Sequence, residues 1–232
     1  MLAAAIRTEA ASHGGFAAST FAARTAGDGD LAVLDRVGRV VSLRRNQALF
    51  GEGDPAQYFY KVLTGAVRSC RLLADGRRHI AEFLFPGDFI GFEAMGAYRS
   101  TVEAVSDTTL MRYSRSAIDW SVERQPQLGK SLLRIICGEL YAAQAQQLLL
   151  GRKNAVERLA SFLLAMAERS GEADRVSLPM TRGDIADHLG LSTETVSRVF
   201  SQFKSRGVIR VSGGSEVVLK DRDALEALAE AT

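Results

Sequence analysis

Cysteine is scarce in this chain: Cys70 and Cys137 are the only two in 232 residues. Two thiols exclude a disulfide framework and suit a reducing, cytoplasmic compartment. The 3 histidines are scattered and, with two lone cysteines, offer no metal-ligand spacing, so no metal or cofactor is expected. No run approaches the roughly 18 consecutive apolar residues of a membrane span. The opening M-L-A-A-A-I-R-T-E-A lacks a basic start followed by an apolar core, so no secretory signal is expected. Also missing are G-x-x-x-x-G-K-[ST], H-E-x-x-H, a G-x-G-x-x-G after a strand and any nucleophile–base pair at a diagnostic spacing, and the chain is not read as an enzyme. Charge bias is absent too: net charge is +2, and residues 151–232 hold 12 Lys/Arg against 12 Asp/Glu. A nucleic-acid-binding domain usually carries a basic excess, so any such reading here rests on pattern.

What is present is a globular composition, 47% hydrophobic and 24% charged, and one highly ordered stretch, Thr181 to Val208. Thr181 reads as an N-cap with Asp184 closing a capping box. Ile185, Ala186 and Leu189 give a short helix its apolar face, and Gly190 ends it. Ser192 caps a second helix whose buried stripe is Val196, Val199, Phe200 and Phe203. Two short helices with a tight turn form a helix-turn-helix, whose second helix enters the DNA major groove. Glu194, Ser197 and Arg198 lie on its exposed face. An isolated Glu194–Arg198 pair would be a surface salt bridge of small worth. In this frame Arg198 suits guanine, Glu194 suits cytosine N4, and Ser197 suits an outer thymine. Thr181, Arg182, Ser192, Thr193 and Thr195 are placed as supporting contacts to the duplex, with Lys204, Arg206 and Arg210 adding basic surface.

The run T-R-x-D-I-A-x-x-L-G-L-S-x-E-T-V-S-R resembles the DNA-binding motif of the Crp/Fnr superfamily of bacterial transcription regulators. Its E-T-V-S-R core is similar to the Fnr and FixK branch. The cyclic-AMP receptor branch has Gly in place of Ser197 and Arg in place of Thr193. The resemblance covers roughly residues 30–228 and implies an α+β chain. Its parts would be a cyclic-nucleotide-binding-like β-roll, a long dimerisation helix and a C-terminal winged helix-turn-helix.

The residues support each part. Residues 1–29, rich in Ala, Ser, Thr and Gly, read as a loose arm. Phe16 and Phe21 are the arm's candidates for docking on the body. The arm has no Cys, so the iron–sulfur cluster that the Fnr branch carries on N-terminal cysteines cannot be built. Residues 30–125 read as the roll. A short helix with Leu31, Val33 and Leu34 inward comes first. Candidate strands follow at 40–43, 48–50, 58–64, 66–73, 78–84, 89–91, 100–104 and 108–113, separated by turn signals such as Asp75-Gly76 and Pro86-Gly87-Asp88. The segments G-E-G-D-P-A-Q-Y-F-Y-K-V-L-T-G-A-V and F-P-G-D-F-I-G-F-E-A resemble the superfamily's sensor roll. In its cyclic-nucleotide binders a Gly-Glu pair holds the ribose and an Arg-Ser pair the phosphate. Here Phe92 follows Gly91, Glu93 is displaced by one, which reverses a strand side chain, and the loop to Arg99-Ser100 is short. Cyclic-nucleotide binding is therefore not expected. Arg77, Arg78 and His79 read as a solvated hairpin flank rather than a haem site, and both cysteines as buried inert thiols. A cyclic-nucleotide- or haem-responsive regulator of the same superfamily remains the alternative.

Trp120 reads as an anchor before a long helix at 126–150, with Pro126 in its first turn. Two apolar rows run along that helix, one from Leu128 through Leu132 and Ile135, the other from Leu133 through Ile136, Leu140 and Ala143 to Leu150. One row can pack on the roll while the other meets a partner. Leu128, Leu132, Ile135, Ile136, Leu140, Ala143 and Leu150 are taken as the dimer interface. Gly151 is expected to break the helix, leaving Gly151-Arg152-Lys153 as a hinge before residues 151–232, the winged domain. Val208–Val211 and Glu216–Leu219 around Ser212-Gly213-Gly214-Ser215 read as the wing. The resemblance implies a homodimeric regulator, an activator in most such proteins, reading a TTGA-N6-TCAA palindrome. It also implies a contact with RNA polymerase, for which Asp75-Gly76-Arg77 is one candidate surface.

Overall fold

The structure, a computed structural model, describes residues 31, 34, 36–92, 96–172 and 174–230. The expectations for the arm, for Val33 and for Glu93 lie outside these residues. Eight strands make the N-terminal half: β1 (Arg39–Leu43), β2 (Ala48–Phe50), β3 (Tyr58–Thr64), β4 (Val67–Leu72), β5 (Arg78–Leu84), β6 (Phe89–Ile90), β7 (Thr101–Ala104) and β8 (Thr108–Ser114). They form two four-stranded antiparallel sheets, ordered β1-β8-β3-β6 and β2-β7-β4-β5. Leu43, Val62, Val67, Leu84, Val102 and Leu110 interdigitate in one buried cluster with the aromatic rings of Phe50, Tyr60 and Tyr98. Gly65 shows why a glycine is needed at the β3–β4 turn. Its φ is +80°, and a Cβ there would lie 2.4 Å from the Asp107 carbonyl oxygen.

Strand β4 departs from simple alternation, because Val67, Arg68, Ser69 and Cys70 are all buried. One face looks into the roll, and the other meets the C-terminal half. The reason is a core that crosses the chain. Ala66, Cys70, Ile80, Phe83 and Val105 of the roll share one cluster with Leu159, Phe162, Ile185 and Val196. The two halves are thus not beads on a hinge but one continuously packed body.

Helix α1 (Arg115–Arg124) is capped by Ser114, whose hydroxyl accepts from the Ala117 amide. Trp120 on it is no anchor: it is 51% exposed, with the Arg124 guanidinium 4.1 Å from its ring centroid. Helix α2 (Pro126–Arg152) runs on through Gly151 and ends at an extended Lys153. A single Gly in a last turn costs about 1 kcal/mol and does not by itself stop a helix.

The long helix also corrects the interface expectation. Leu128, Leu132 and Ile135 are buried in the chain's own core beside Leu31, Leu34, Phe59, Phe89 and Tyr113. They are the inner row and cannot meet a partner. Leu133, Ile136 and Leu140 are uncovered, at 60%, 45% and 60% exposure. Ala143 is exposed and Leu150 half-buried. Cys137 is exposed as well, against the expectation of a buried thiol, because it lies on this outer side of the helix.

Helix α3 (Ala155–Ser170) starts at Asn154, which forms a reciprocal capping box with Glu157, and stops at the left-handed Gly171. Strand β9 (Arg175–Ser177) pairs with β11 (Glu216–Leu219), and β11 pairs with β10 (Ile209–Ser212) across the turn at Gly213 and Gly214. This small sheet is the wing.

Candidate nucleic-acid interface

Helix α4 (Arg182–Leu189) begins at Thr181, which accepts from the Asp184 amide while the Asp184 carboxylate accepts from the Thr181 amide. Gly190, at φ +63°, ends α4 in the left-handed conformation. Helix α5 (Thr193–Ser205) follows at once, capped by the Ser192 hydroxyl, which accepts from the Thr195 amide. Ile185, Leu189, Val196, Val199, Phe200 and Phe203 close the space between the two helices. The two N-termini lie close together: a Cβ on Gly183 would be in ordinary van der Waals contact with both the Thr181 hydroxyl, at 3.6 Å, and the Thr193 hydroxyl, at 3.8 Å. Two helix N-termini on one side of the domain present amide donors and positive dipole ends to a phosphate strand.

The three expected base-reading residues fall together on α5. Glu194, Ser197 and Arg198 are all exposed, opposite the stripe that is buried. Glu194 is held below the usual carboxylate range by its own amide and by the Ser192 hydroxyl, so it is ionised at neutral pH. Among the described residues no ion pair joins Glu194 to Arg198. Both side chains are exposed to solvent.

The supporting residues divide. Thr181 and Thr193 stand at the paired N-termini. The Ser192 hydroxyl donates to the Thr195 hydroxyl at 3.0 Å, so this pair stiffens the turn. Arg182 lies over the Phe200 ring, 3.3 Å from its centroid, and burial lowers its pKa. Lys204, Arg206 and Arg210 are exposed around the end of α5 and the wing.

Sequence reasoning missed what holds this unit in place. Arg78, expected in a solvated flank, donates through Nη2 to Asp184 Oδ1 at 2.6 Å and through Nε to Asp187 Oδ2 at 2.8 Å. Arg68 donates to the same Asp184 oxygen at 3.1 Å and to Glu103 at 2.7 Å. Burial alone would raise the Asp184 carboxyl, but hydrogen bonds from Thr181 and the charges of Arg68 and Arg78 outweigh it and hold it low. His188 Nδ1 donates to the Ile80 carbonyl at 3.1 Å. At the other end of α4, Arg158 donates to the carbonyls of Leu189, Leu150 and Lys153, each at 2.8 Å. The signal for these contacts was the polar face of α4, which sequence alone could not pair with strands about a hundred residues away.

Between β5, α2, α3 and α4 lies a mainly apolar cavity of about 660 Å³, lined among others by Phe83, Phe92, Ile136, Leu140, Phe162 and His188. In the roll, Tyr98 stacks on Phe50 at 3.6 Å. Phe92, next to Gly91, packs 4.6 Å from the Phe59 ring and 5.5 Å from the Phe89 ring.

This geometry defines a class: a winged helix-turn-helix DNA-binding protein fused to a β-roll. Comparison with known proteins agrees. Residues 157–228 match the Crp-like helix-turn-helix domain family, and residues 40–125 the cyclic nucleotide-binding domain family. Nitrogen fixation regulation protein FixK of Azorhizobium caulinodans is 42% identical over 201 residues, spanning 84% of this chain and 81% of that protein. Transcriptional activatory protein AadR of Rhodopseudomonas palustris is 36% identical over 207 residues, 87% of each chain. The solved structure of FixK2 from Bradyrhizobium japonicum superposes with a TM-score of 0.80 at 43% identity, covering 84% of this chain and 99% of that one. The chain belongs to the FixK-type transcription regulators of the Crp/Fnr superfamily. Among the described residues no helix is long and apolar enough to cross a membrane.

Proposed function

We propose that this regulator works as a cytoplasmic homodimer that binds TTGA-N6-TCAA palindromes and activates transcription. The observation that carries the reading is the recognition helix α5, with Arg198 and ionised Glu194 exposed on one face and not ion-paired with each other. A guanidinium fork without an internal partner suits guanine O6 and N7, and a carboxylate suits cytosine N4. The uncovered row Leu133, Ile136 and Leu140 supplies the second contact, an apolar seam for the α2 of a second copy. Two copies joined there would present two α5 helices to half-sites about 34–36 Å apart. The names of the relatives, nitrogen fixation regulation and transcriptional activation, support a role in switching on metabolic genes.

The roll reads as a scaffold rather than a cyclic-nucleotide receptor. Phe92 brings an aromatic ring where a ribose-binding carboxylate would serve, and the ring packs inward on Phe59. The β4–β5 turn is the favoured surface for RNA polymerase. Asp75 and Arg77 pair with each other there at 2.7 Å, beside Leu72, which is 73% exposed.

A footprint on duplexes bearing TTGA-N6-TCAA tests the reading. Symmetric protection of both half-sites, with no added nucleotide, is the expected result. Protection of one half-site by a monomer, or protection only when cyclic AMP is present, would contradict it.

A further inference from the structure

Helix α4 is gripped at both ends, and neither grip involves DNA. At its N-terminal half, Asp184 and Asp187 reach the roll. Asp184 is 2% exposed and takes Arg68 and Arg78 on Oδ1 while Thr181 donates to Oδ2 from its amide at 3.0 Å and its hydroxyl at 2.8 Å. One carboxylate therefore joins strands β4 and β5 to the cap residue at the DNA-facing N-terminus of α4. Arg78 adds Asp187 on the next turn of the same helix. At the C-terminal end, Arg158 collects carbonyls from α2, from Lys153 and from α4. Gln146 of α2 donates to the His188 carbonyl at 3.1 Å. Helix α5 follows α4 after a tight turn, so whatever fixes α4 fixes the recognition helix.

We infer that Arg78 is a positioning residue for DNA recognition. With Asp184 and Asp187 it latches the helix-turn-helix to the β-roll, and this latch sets the half-site spacing that a dimer accepts. A linker hinged at Lys153 alone would let each α5 swing, and several spacings would be tolerated. A unit bound at once to β4, β5 and the end of α2 holds α5 at one angle to the long helix. Coupling of this sort needs a contiguous physical network rather than proximity. Here every link from β5 to Thr181 is a hydrogen bond with named atoms. The inference rests on the proposed dimeric reading of a palindrome.

The test measures fluorescence-anisotropy affinities for duplexes with half-sites separated by N5, N6 and N7, and for one unrelated duplex. The wild type, Arg78→Gln, Arg78→Lys, Asp187→Asn and the control Arg71→Gln are compared as full chains. Arg71, on the neighbouring strand β4, pairs with exposed Glu52. Arg78→Gln and Asp187→Asn should each lower the N6 preference over N5 and N7 about five- to tenfold. Affinity for the unrelated duplex should not change. Arg78→Lys, which keeps the charge but not the fork, should restore part of the preference, and Arg71→Gln should retain all of it. Both Arg78 and Asp187 side chains are about one-third exposed, at 32% and 31%, so these variants are expected to fold. Thermal unfolding checks that directly. An unchanged N6 preference in Arg78→Gln and Asp187→Asn, beside a wild type that shows one, overturns the latch. An equal loss on all four duplexes also overturns it, since that reports general damage. A wild type with no spacing preference overturns the palindromic reading and the latch with it.

Discussion

The two helices α2 and α5 follow one rule with opposite results. Each buries one stripe in the chain's own core and leaves the opposite face uncovered. On α5 the uncovered face is polar: Glu194, Ser197 and Arg198. On α2 it is apolar: Leu133, Ile136 and Leu140. A polar face with unpaired hydrogen-bonding groups costs nothing in water and is ready for an edge-reading partner such as a base pair. An exposed apolar face is a liability in a monomer, and the proposal gives it to a second copy. What a helix leaves uncovered therefore indicates the chemistry of its partner.

The largest effect should come from breaking the apolar face. Leu140→Glu places a like charge opposite its own symmetry mate. Dimer-dependent avidity of about 10²–10⁴-fold for the palindrome should be lost. Sedimentation should show a folded monomer with unchanged circular dichroism. The buried row answers differently. Leu128→Ala should cost about 2–5 kcal/mol in chemical denaturation and leave the dimer dissociation constant as it was. The pair of variants separates the inner row from the outer one.

The polar face should respond in specificity. Arg198→Ala should lose about 1–3 kcal/mol per half-site and relax the guanine preference. Salt-sensitive binding to unrelated duplex should stay mostly intact. A uniform loss across sequences, seen in a competition assay, would make Arg198 a phosphate contact instead.

The seam between the halves should show in acid. Burial beside Phe83 and Phe162 pushes the His188 imidazole down to about 4, against 6.5 for a free side chain. Between those values the unfolded chain binds the proton that the folded chain refuses. Stability therefore falls as pH drops from about 6.5 toward 4, by about 1–3 kcal/mol. His188→Gln keeps a donor for the Ile80 carbonyl and removes the titration, so its stability should be flatter over that range in urea melts.

Much of this was legible in the sequence, and the parts that were not share a cause. The strands followed from alternation and glycine turns, and the caps at Thr181 and Ser192 from short-range hydrogen-bond chemistry. The choice between the rows of α2 was not legible, because Leu128, Leu132 and Ile135 are as apolar as Leu133, Ile136 and Leu140. Only the position of the roll decides which row is inner. The same holds for Cys137 and Trp120, whose exposure depends on which side of a helix the body takes. Arg78 looked solvated because its two carboxylate partners lie more than a hundred residues further along. The expected break at Gly151 overweighted one residue against a helix otherwise well supported.

Selection from random duplexes by the wild type and by Arg198→Ala, run side by side, tests the central claim most directly. The uncovered polar and apolar faces should act together. The wild type should enrich inverted repeats of TTGA with centres about one helical turn apart, and Arg198→Ala should keep the repeat but lose the guanine. Enrichment of single half-sites, or of the same guanine by both proteins, would contradict the account.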